Sequence, residues 1–286
     1  MKVAVIGANG QLGTEICEIF SQKYLVISLT HQDFEISDID NVKNTLERVK
    51  PQVVINTAAY HQVSKCEENP ILSFKINGLG ALNLSKVSND LDFKLVHFST
   101  DYVFDGLKKS PYIEDDKPNP LNIYGLTKLN GEHLIMNNCN NYFIIRVSGI
   151  YGKVPCRAKG GNFITTMIKA SRERPEVTVV NDEILTPTSA VEISKNTYSL
   201  IQTDAFGLYH MTCQGGCSWY EFAKVIFETL KLEATLQPCS VSDFPMTVKR
   251  PIYSVLENHN LKAIKMDQMI FWKDALVNFL NETNNM

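Results

Sequence analysis

A doubly wound, mostly parallel α/β sheet with a smaller C-terminal α/β lobe is the fold this chain predicts, on three observations. Short apolar runs alternate with helical patterns through the first half, which is the rhythm of βαβ units with right-handed crossovers. The runs are nearly continuous rather than alternating, as strands are when helices cover both faces of a sheet. The first run (Val3, Val5, Ile6) opens into a glycine-rich turn, Gly7-Ala8-Asn9-Gly10-Gln11-Leu12-Gly13, and a helical pattern follows (Leu12, Ile16, Ile19, Phe20).

Strands are expected at 2–6, 24–29, 52–56, 93–99 and 142–147, with helices at about 11–21, 38–49, 70–90 and 121–138 between them. From about residue 150 the rhythm loosens into a helix at 160–174, a strand at 176–180, a helix at 191–202 and a strand at 207–211. The helix at 218–230 is well marked. Ser218 caps it, Glu221 stands three residues on, and Trp219, Phe222, Ala223, Ile226, Phe227 and Leu230 form its apolar stripe. A last helix is expected at about 269–281.

A chain of 286 residues can bury a sizeable core, and 44% hydrophobic with 21% charged residues is a globular composition. A net charge of −3, pI near 6.1 and mean hydropathy of −0.11 point away from nucleic acid and acidic membranes as partners. No run of about 18 apolar residues suggests a membrane span, and the chain begins in a strand rather than a signal peptide. A cytoplasmic protein is expected. Seven scattered cysteines (17, 66, 139, 156, 213, 217, 239) read as free thiols, and Cys213 with Cys217 lacks the second pair a metal site needs, so no metal is expected.

Strand, tight turn and helix N-terminus in that order make an anion site, with backbone N–H groups and the helix dipole directed at whatever lies above the turn. The spacing is GxxGxxG rather than GxGxxG, and its position opening an α/β pattern argues for a dinucleotide. The expected organisation is a dinucleotide-binding domain over 1–150, with returning segments from about 176–212, and a mainly substrate-binding lobe over 151–286. The strand at 93–99 ends in Ser99-Thr100-Asp101-Tyr102, at the carboxyl edge where such folds take ligands. Tyr124 and Lys128 follow at i, i+4 on one helix face. An ammonium beside a phenol favours phenolate and brings the tyrosine into the range useful for proton transfer.

With these motifs in hand the chain resembles the extended short-chain dehydrogenase/reductases, and within them the dTDP-4-dehydrorhamnose reductase family, whose sheet is Rossmann-like. The resemblance rests on GANGQLG (7–13), NTAAY (56–60), HFSTDYVFDG (97–106), NIYGLTKLNGE (122–132) and IIRVSGIYG (144–152). It continues through GGNFITTMI (160–168), VVNDEILTPT (179–188), GLYHM (207–211), SWYEFAKVIF (218–227) and KRP (249–251). It implies that Tyr124 gives a proton to a sugar ketone, that Lys128 holds the nicotinamide ribose, and that Thr100 bonds the same ketone oxygen. Asp101 and Tyr102 would lie at the substrate. Gly7, Asn9, Gly10, Gln11 and Leu12 would form the pyrophosphate turn, with Thr30 at the adenosine ribose and Glu35 and Ile36 at the adenine. Ala58, Ala59, Tyr60, His61 and Phe98 would line the rest of the cofactor site.

Three departures lie near the sugar pocket: Gly149 stands where the family keeps a tryptophan, Ser64 replaces an aspartate, and the segment 153–161 is longer than expected. A wider pocket is expected at Gly149. With Thr30 in place of an acid and no Arg or Lys beside it, either NADH or NADPH fits, with a slight lean toward NADPH. His97 and His133 read as structural, Trp219 as core and Glu15 as an exposed helix residue, while Arg250 is within loose reach of a nucleotide phosphate. The function the resemblance implies is reduction of a nucleotide-linked 4-keto-6-deoxysugar for surface polysaccharide synthesis, and a homodimer is left open. Two alternatives share the fold: a non-catalytic subunit like the regulatory subunit of methionine adenosyltransferase, and a sugar-nucleotide epimerase. Turnover separates the first from an enzyme, and net oxidation of the cofactor separates the second from a reductase.

Overall fold

The structure, a computed structural model, describes residues 1–155, 160–244 and 247–284. The first half runs β1 (Lys2–Ile6), α1 (Gln11–Ser21), β2 (Leu25–Leu29), α2 (Ile39–Val49), β3 (Val53–Asn56) and α3 (Val63–Glu68). In place of one helix at 70–90 come α4 (Pro70–Ser73), a π-helical turn (Phe74–Leu79) and α5 (Gly80–Leu91). β4 (Lys94–Thr100), α6 (Ile123–Asn138) and β5 (Tyr142–Val147) complete it. The second half holds β6 (Ile150–Tyr151), α7 (Phe163–Glu173), β7 (Glu176–Val180), β8 (Ile184–Leu185), β9 (Thr188–Ser189) and α8 (Ala190–Leu200). Then follow β10 (Gly207–His210), β11 (Cys217–Ser218), α9 (Trp219–Leu230), β12 (Thr235–Cys239), α10 (His259–Ala263) and α11 (Trp272–Asn284).

Six parallel strands form the main sheet in the order β10-β5-β4-β3-β1-β2. The chain steps outward from β1 to β2, then returns through β3 and continues the other way. The reversal between β1 and β3 opens a crevice beyond the strand ends. Along β1, Val3 and Val5 enter the core with α1, α8 and the C-terminal lobe, while Ala4 and Ile6 face the core under α2 and α5. Burial on both faces is why the strands read as continuous apolar runs.

The returning segment begins later than expected. β7 pairs with β12 in a separate two-stranded sheet, whereas α8 packs on α1 and β10 adds to β5. The reason is visible in β7 itself: Glu176 and Thr178 are exposed while Val177 and Val179 are buried, a one-faced pattern unsuited to the interior of the main sheet.

Helix ends follow their chemistry. Asp38 caps α2 by accepting from the Asp40 and Asn41 nitrogens, and the capping box of Ser218 and Glu221 starts α9. Glu15 corrects an expectation: it is 1% exposed and accepts the Lys153 N–H, because the chain after β6 covers α1 there. The six described cysteines are free, and Cys156 lies outside the described residues. Among the described residues no helix is long and apolar enough to cross a membrane.

Candidate active site

The turn after β1 is made by close approach. Gly7 takes φ +77°, and a Cβ there would lie 2.8 Å from Thr57 Oγ1, while one on Gly13 would stand 2.3 Å from the Gly7 oxygen. Glycine alone lets α1 start this near the strand end. No side chain caps α1, so its first-turn N–H groups are left to the cleft at the positive end of the helix. Gln11 reaches across to β6, donating from Nε2 to the Ile150 oxygen at 2.8 Å.

At the end of β2 the Thr30 N–H and hydroxyl both donate to Asp33 Oδ2, at 3.1 and 2.7 Å, and these bonds lower the Asp33 pKa. Glu35 accepts from the Ser37 N–H and hydroxyl at 3.0 and 2.8 Å, and Ile36 is buried against α5 at Gly80.

The loop after β3 is clasped by Asn77, which the sequence reading passed over. Its Oδ1 accepts from the Tyr60 N–H, and its Nδ2 donates to the Tyr60 oxygen and to Thr127 Oγ1, all at 2.9 to 3.0 Å. Asn77 stands in the π-helical turn, a distortion that often marks functional sites.

Tyr124 is positioned by the start of α6. Asn122 caps the helix by accepting from the Gly125 N–H at 2.9 Å and donates to the Lys249 oxygen at 2.9 Å. A Cβ on Gly125 would lie 2.1 Å from the Tyr102 oxygen, so the helix starts directly against the turn beyond β4. The Tyr124 phenol there hydrogen-bonds the Thr100 hydroxyl. Thr100 donates to Asp101 Oδ1 at 3.1 Å, Ser148 donates to Asp101 Oδ2 at 2.9 Å, and Ser254 also bonds this carboxylate. Burial raises the Asp101 pKa against the pull of these hydroxyls. Burial likewise raises the Tyr124 pKa, with the Thr100 bond opposing and the Asp101 charge adding.

Lys128 is 2% exposed, and its Nζ lies 3.2 Å from His97 Nε2. Burial pushes its pKa down to about 8, with Glu132 opposing. The expected pull of Lys128 on the phenol is absent from this arrangement, in which Tyr124 responds to Thr100, Asp101 and Cys66 while the lysine engages His97. His97 is therefore more than a piece of core. Behind the site Glu132 takes Arg146 Nε at 3.0 Å and Nη2 at 2.6 Å, and Ser99 donates to Glu132 as well, locking α6 onto β4 and β5.

Every residue the sequence assigned to the site lines one cleft of about 1210 Å³, from Gly7, Asn9, Gly10, Gln11 and Leu12 through Thr30, Glu35 and Ile36, the loop Ala58 to His61 and Phe98, to Thr100, Asp101, Tyr102, Tyr124 and Lys128. The C-terminal lobe adds Glu183, Leu185, Trp219, Phe244, Arg250 and Ser254. Trp219, expected in the core, borders the cleft half-buried, and its indole N–H donates to Glu183. The exposed Arg250 acts electrostatically on Tyr102 and Glu183. The wider pocket expected at Gly149 is also corrected. Gly149 takes φ +53°, and a Cβ there would meet Leu185 Cδ1 at 2.9 Å and Pro187 Cα at 3.1 Å, so neighbouring chain fills that space. The insertion at 153–161 lies partly outside the described residues, at 156–159.

A doubly wound sheet whose switch point joins a glycine turn to a threonine–tyrosine–lysine set defines an extended short-chain dehydrogenase/reductase. The family described as RmlD substrate binding domain matches residues 1–285, and the chain belongs to that family. It is 36% identical over 285 residues to the spore coat polysaccharide biosynthesis protein SpsK of Bacillus subtilis, covering 99% of this chain and 98% of that protein. It is 34% identical to the dTDP-4-dehydrorhamnose reductase of Burkholderia thailandensis, covering 96% of this chain and 97% of that one. Among solved structures, a dTDP-4-dehydrorhamnose reductase from Clostridium acetobutylicum superposes with a TM-score of 0.95 at 39% identity, covering 99% and 100% of the two chains. The Bacillus anthracis dTDP-4-dehydrorhamnose reductase in complex with NADP superposes with a TM-score of 0.94 at 36% identity, covering 98% and 99%.

Proposed function

We propose that the protein is an NAD(P)H-dependent reductase of a nucleotide-linked 4-keto-6-deoxysugar, of the dTDP-4-dehydrorhamnose type, acting in nucleotide-sugar and surface polysaccharide synthesis. The observation that carries this reading is the continuity of one cleft from the uncapped N-terminus of α1 to the hydrogen-bonded Tyr124 and Thr100. The relatives named as dTDP-4-dehydrorhamnose reductases support the substrate class.

The residues present fit a dinucleotide. The glycine cradle and open helix end suit a pyrophosphate at Gly7, Asn9, Gly10, Gln11 and Leu12, with Thr30, Glu35 and Ile36 toward the adenosine. Ala58 to His61, Phe98 and Lys128 would hold the nicotinamide end. When bound, the reduced nicotinamide supplies the hydride. Tyr124, kept protonated by burial, gives its phenolic proton to the ketone oxygen, and Thr100 turns its hydroxyl to the same oxygen. Asp101 and Tyr102 border the sugar, while Glu183, Trp219 and Arg250 orient the remainder of the nucleotide sugar. A slight preference for NADPH goes with this reading, because Thr30 rather than a carboxylate stands at the end of β2, where an acid would repel a 2′-phosphate. So do a division near residue 150 into dinucleotide domain and substrate lobe, a cytoplasmic location and a homodimer.

The test is loss of 340 nm absorbance with dTDP-, UDP-, GDP- and CDP-linked 4-ketosugars. Tyr124→Phe is expected to lower the chemical step by roughly 10²–10⁴ with cofactor affinity unchanged. Cofactor binding with no turnover of any of these sugars would overturn the reading in favour of a binding subunit. Turnover without net cofactor oxidation would favour an epimerase.

A further inference from the structure

Asn56, His97 and Lys128 form a buried line whose donor and acceptor roles admit one solution. The Ala58 N–H donates to Asn56 Oδ1 at 3.1 Å, which orients the amide and turns Nδ2 toward His97. Nδ2 then donates to His97 Nδ1 at 3.0 Å, so that ring nitrogen is bare and a neutral imidazole carries its proton on Nε2. Nε2 faces Lys128 Nζ at 3.2 Å. An ammonium has only donors to offer there, and two donors make no hydrogen bond; an uncharged amine has the lone pair that accepts. Building on the proposed cofactor use, we infer that His97 is a positioning residue whose Nε2 proton is held by the uncharged form of Lys128, and that a dinucleotide entering the cleft draws the lysine away and favours its ammonium form, the added proton coming from solvent.

The surrounding groups fit this arrangement. On α6, Tyr124 and Glu132 stand one turn to either side of Lys128. Glu132 favours the ammonium but is paired with Arg146 of β5 and bonded by Ser99 of β4. Asp101, beyond β4, is held by the hydroxyls of Thr100, Ser148 and Ser254, and Cys66 of α3 acts on Tyr124. Burial holds His97 well below the ordinary histidine range, which keeps its ring neutral. A bound ribose offers hydroxyl oxygens that accept from an ammonium as the His97 N–H does not.

Nitrogen-15 resonances of the His97 ring and a pH titration of the Lys128 side chain, assigned with Lys128→Met, test this on the full chain. Without cofactor, a bare Nδ1, a protonated Nε2 and a lysine midpoint near pH 8 are expected. With NADPH the midpoint rises toward the ordinary lysine range, a gain of about a hundredfold or more in proton affinity. Calorimetry in buffers of different ionisation enthalpy then reports uptake of about half a proton per site at pH 8 and close to one at pH 9. In His97→Gln the amide can turn its oxygen to the ammonium, so the midpoint rises without cofactor and the uptake fades, with the circular dichroism spectrum unchanged. A protonated Nδ1, or a lysine titrating in its ordinary range without cofactor, overturns the inference. Failure to bind NADH or NADPH would instead overturn the proposed function, and the two cofactor-free readings would still decide the inference.

Discussion

Glu132→Gln tests how far the buried cross-link behind the site supports the fold. Glu132 is fully buried and bonds Arg146 through Nε and Nη2, and Arg146 is itself 2% exposed. The other neighbours of the guanidinium are the face of Phe104, 5.1 Å away, and His210 Nε2 at 3.4 Å, neither of them negative. The amide keeps the shape, removes the charge and leaves the guanidinium uncompensated in a dry interior. Breaking one side of such a pair costs about 3–5 kcal/mol. With an unfolding entropy of about 2.1 cal/mol/K per residue, that lowers the Tm of a 286-residue chain by about 5–8 °C. Urea and thermal unfolding followed by circular dichroism measure it. Replacing both Glu132 and Arg146 by methionine recovers much of the loss, because an apolar pair leaves no charge unpaired. A loss below about 1 kcal/mol for the single variant, or a double variant no more stable than the single one, refutes the reasoning.

Two further outcomes follow from the geometry. Gly13→Ala places a methyl 2.3 Å from the Gly7 oxygen, so the turn must open; the expected result is loss of dinucleotide binding in calorimetry with a lowered Tm. His210, donating from Nδ1 to backbone oxygens and facing Arg146 with Nε2, has its pKa pushed down to about 3, chiefly by burial. The unfolded chain binds a proton that the folded protein refuses, so stability is full above about pH 6.5 and falls by about 1.4 kcal/mol per pH unit toward pH 3. His210→Gln is expected to flatten that slope in urea titrations at stepped pH.

Much of the site was legible because its chemistry is local. The glycine turn, the Thr100 strand end and the Tyr124–Lys128 pair each occupy a few consecutive residues, and the doubly wound parallel sheet follows from the βαβ rhythm. What escaped depends on chain segments far apart. Trp219 belongs to an apolar helical stripe, and only its meeting with Glu183, from another lobe segment, turns it toward the cleft. The space at Gly149 is set by Leu185 and Pro187, which no local pattern connects to it. Asn77 carries no motif, and His97, although it opens the stretch at 97–106, looks like any histidine in an apolar strand until its contact with Lys128 is seen. β7 was misplaced because a short β-branched run fits either sheet, and its one-faced burial is a tertiary fact.

The π-helical turn between α4 and α5 bears on how this chain can change length. Such a turn accommodates one residue beyond α-helical spacing while leaving the helices on either side in place. Deleting a single residue within 74–79 would let the two helices fuse into a regular rod with their packing faces still in phase. Insertions or deletions elsewhere in α5 would instead rotate Gly80 and Asn83 off Ile36 and its carbonyl. The clasp on the loop at Tyr60 thus lies in a stretch where the chain can change by one residue with the helices on either side still in phase.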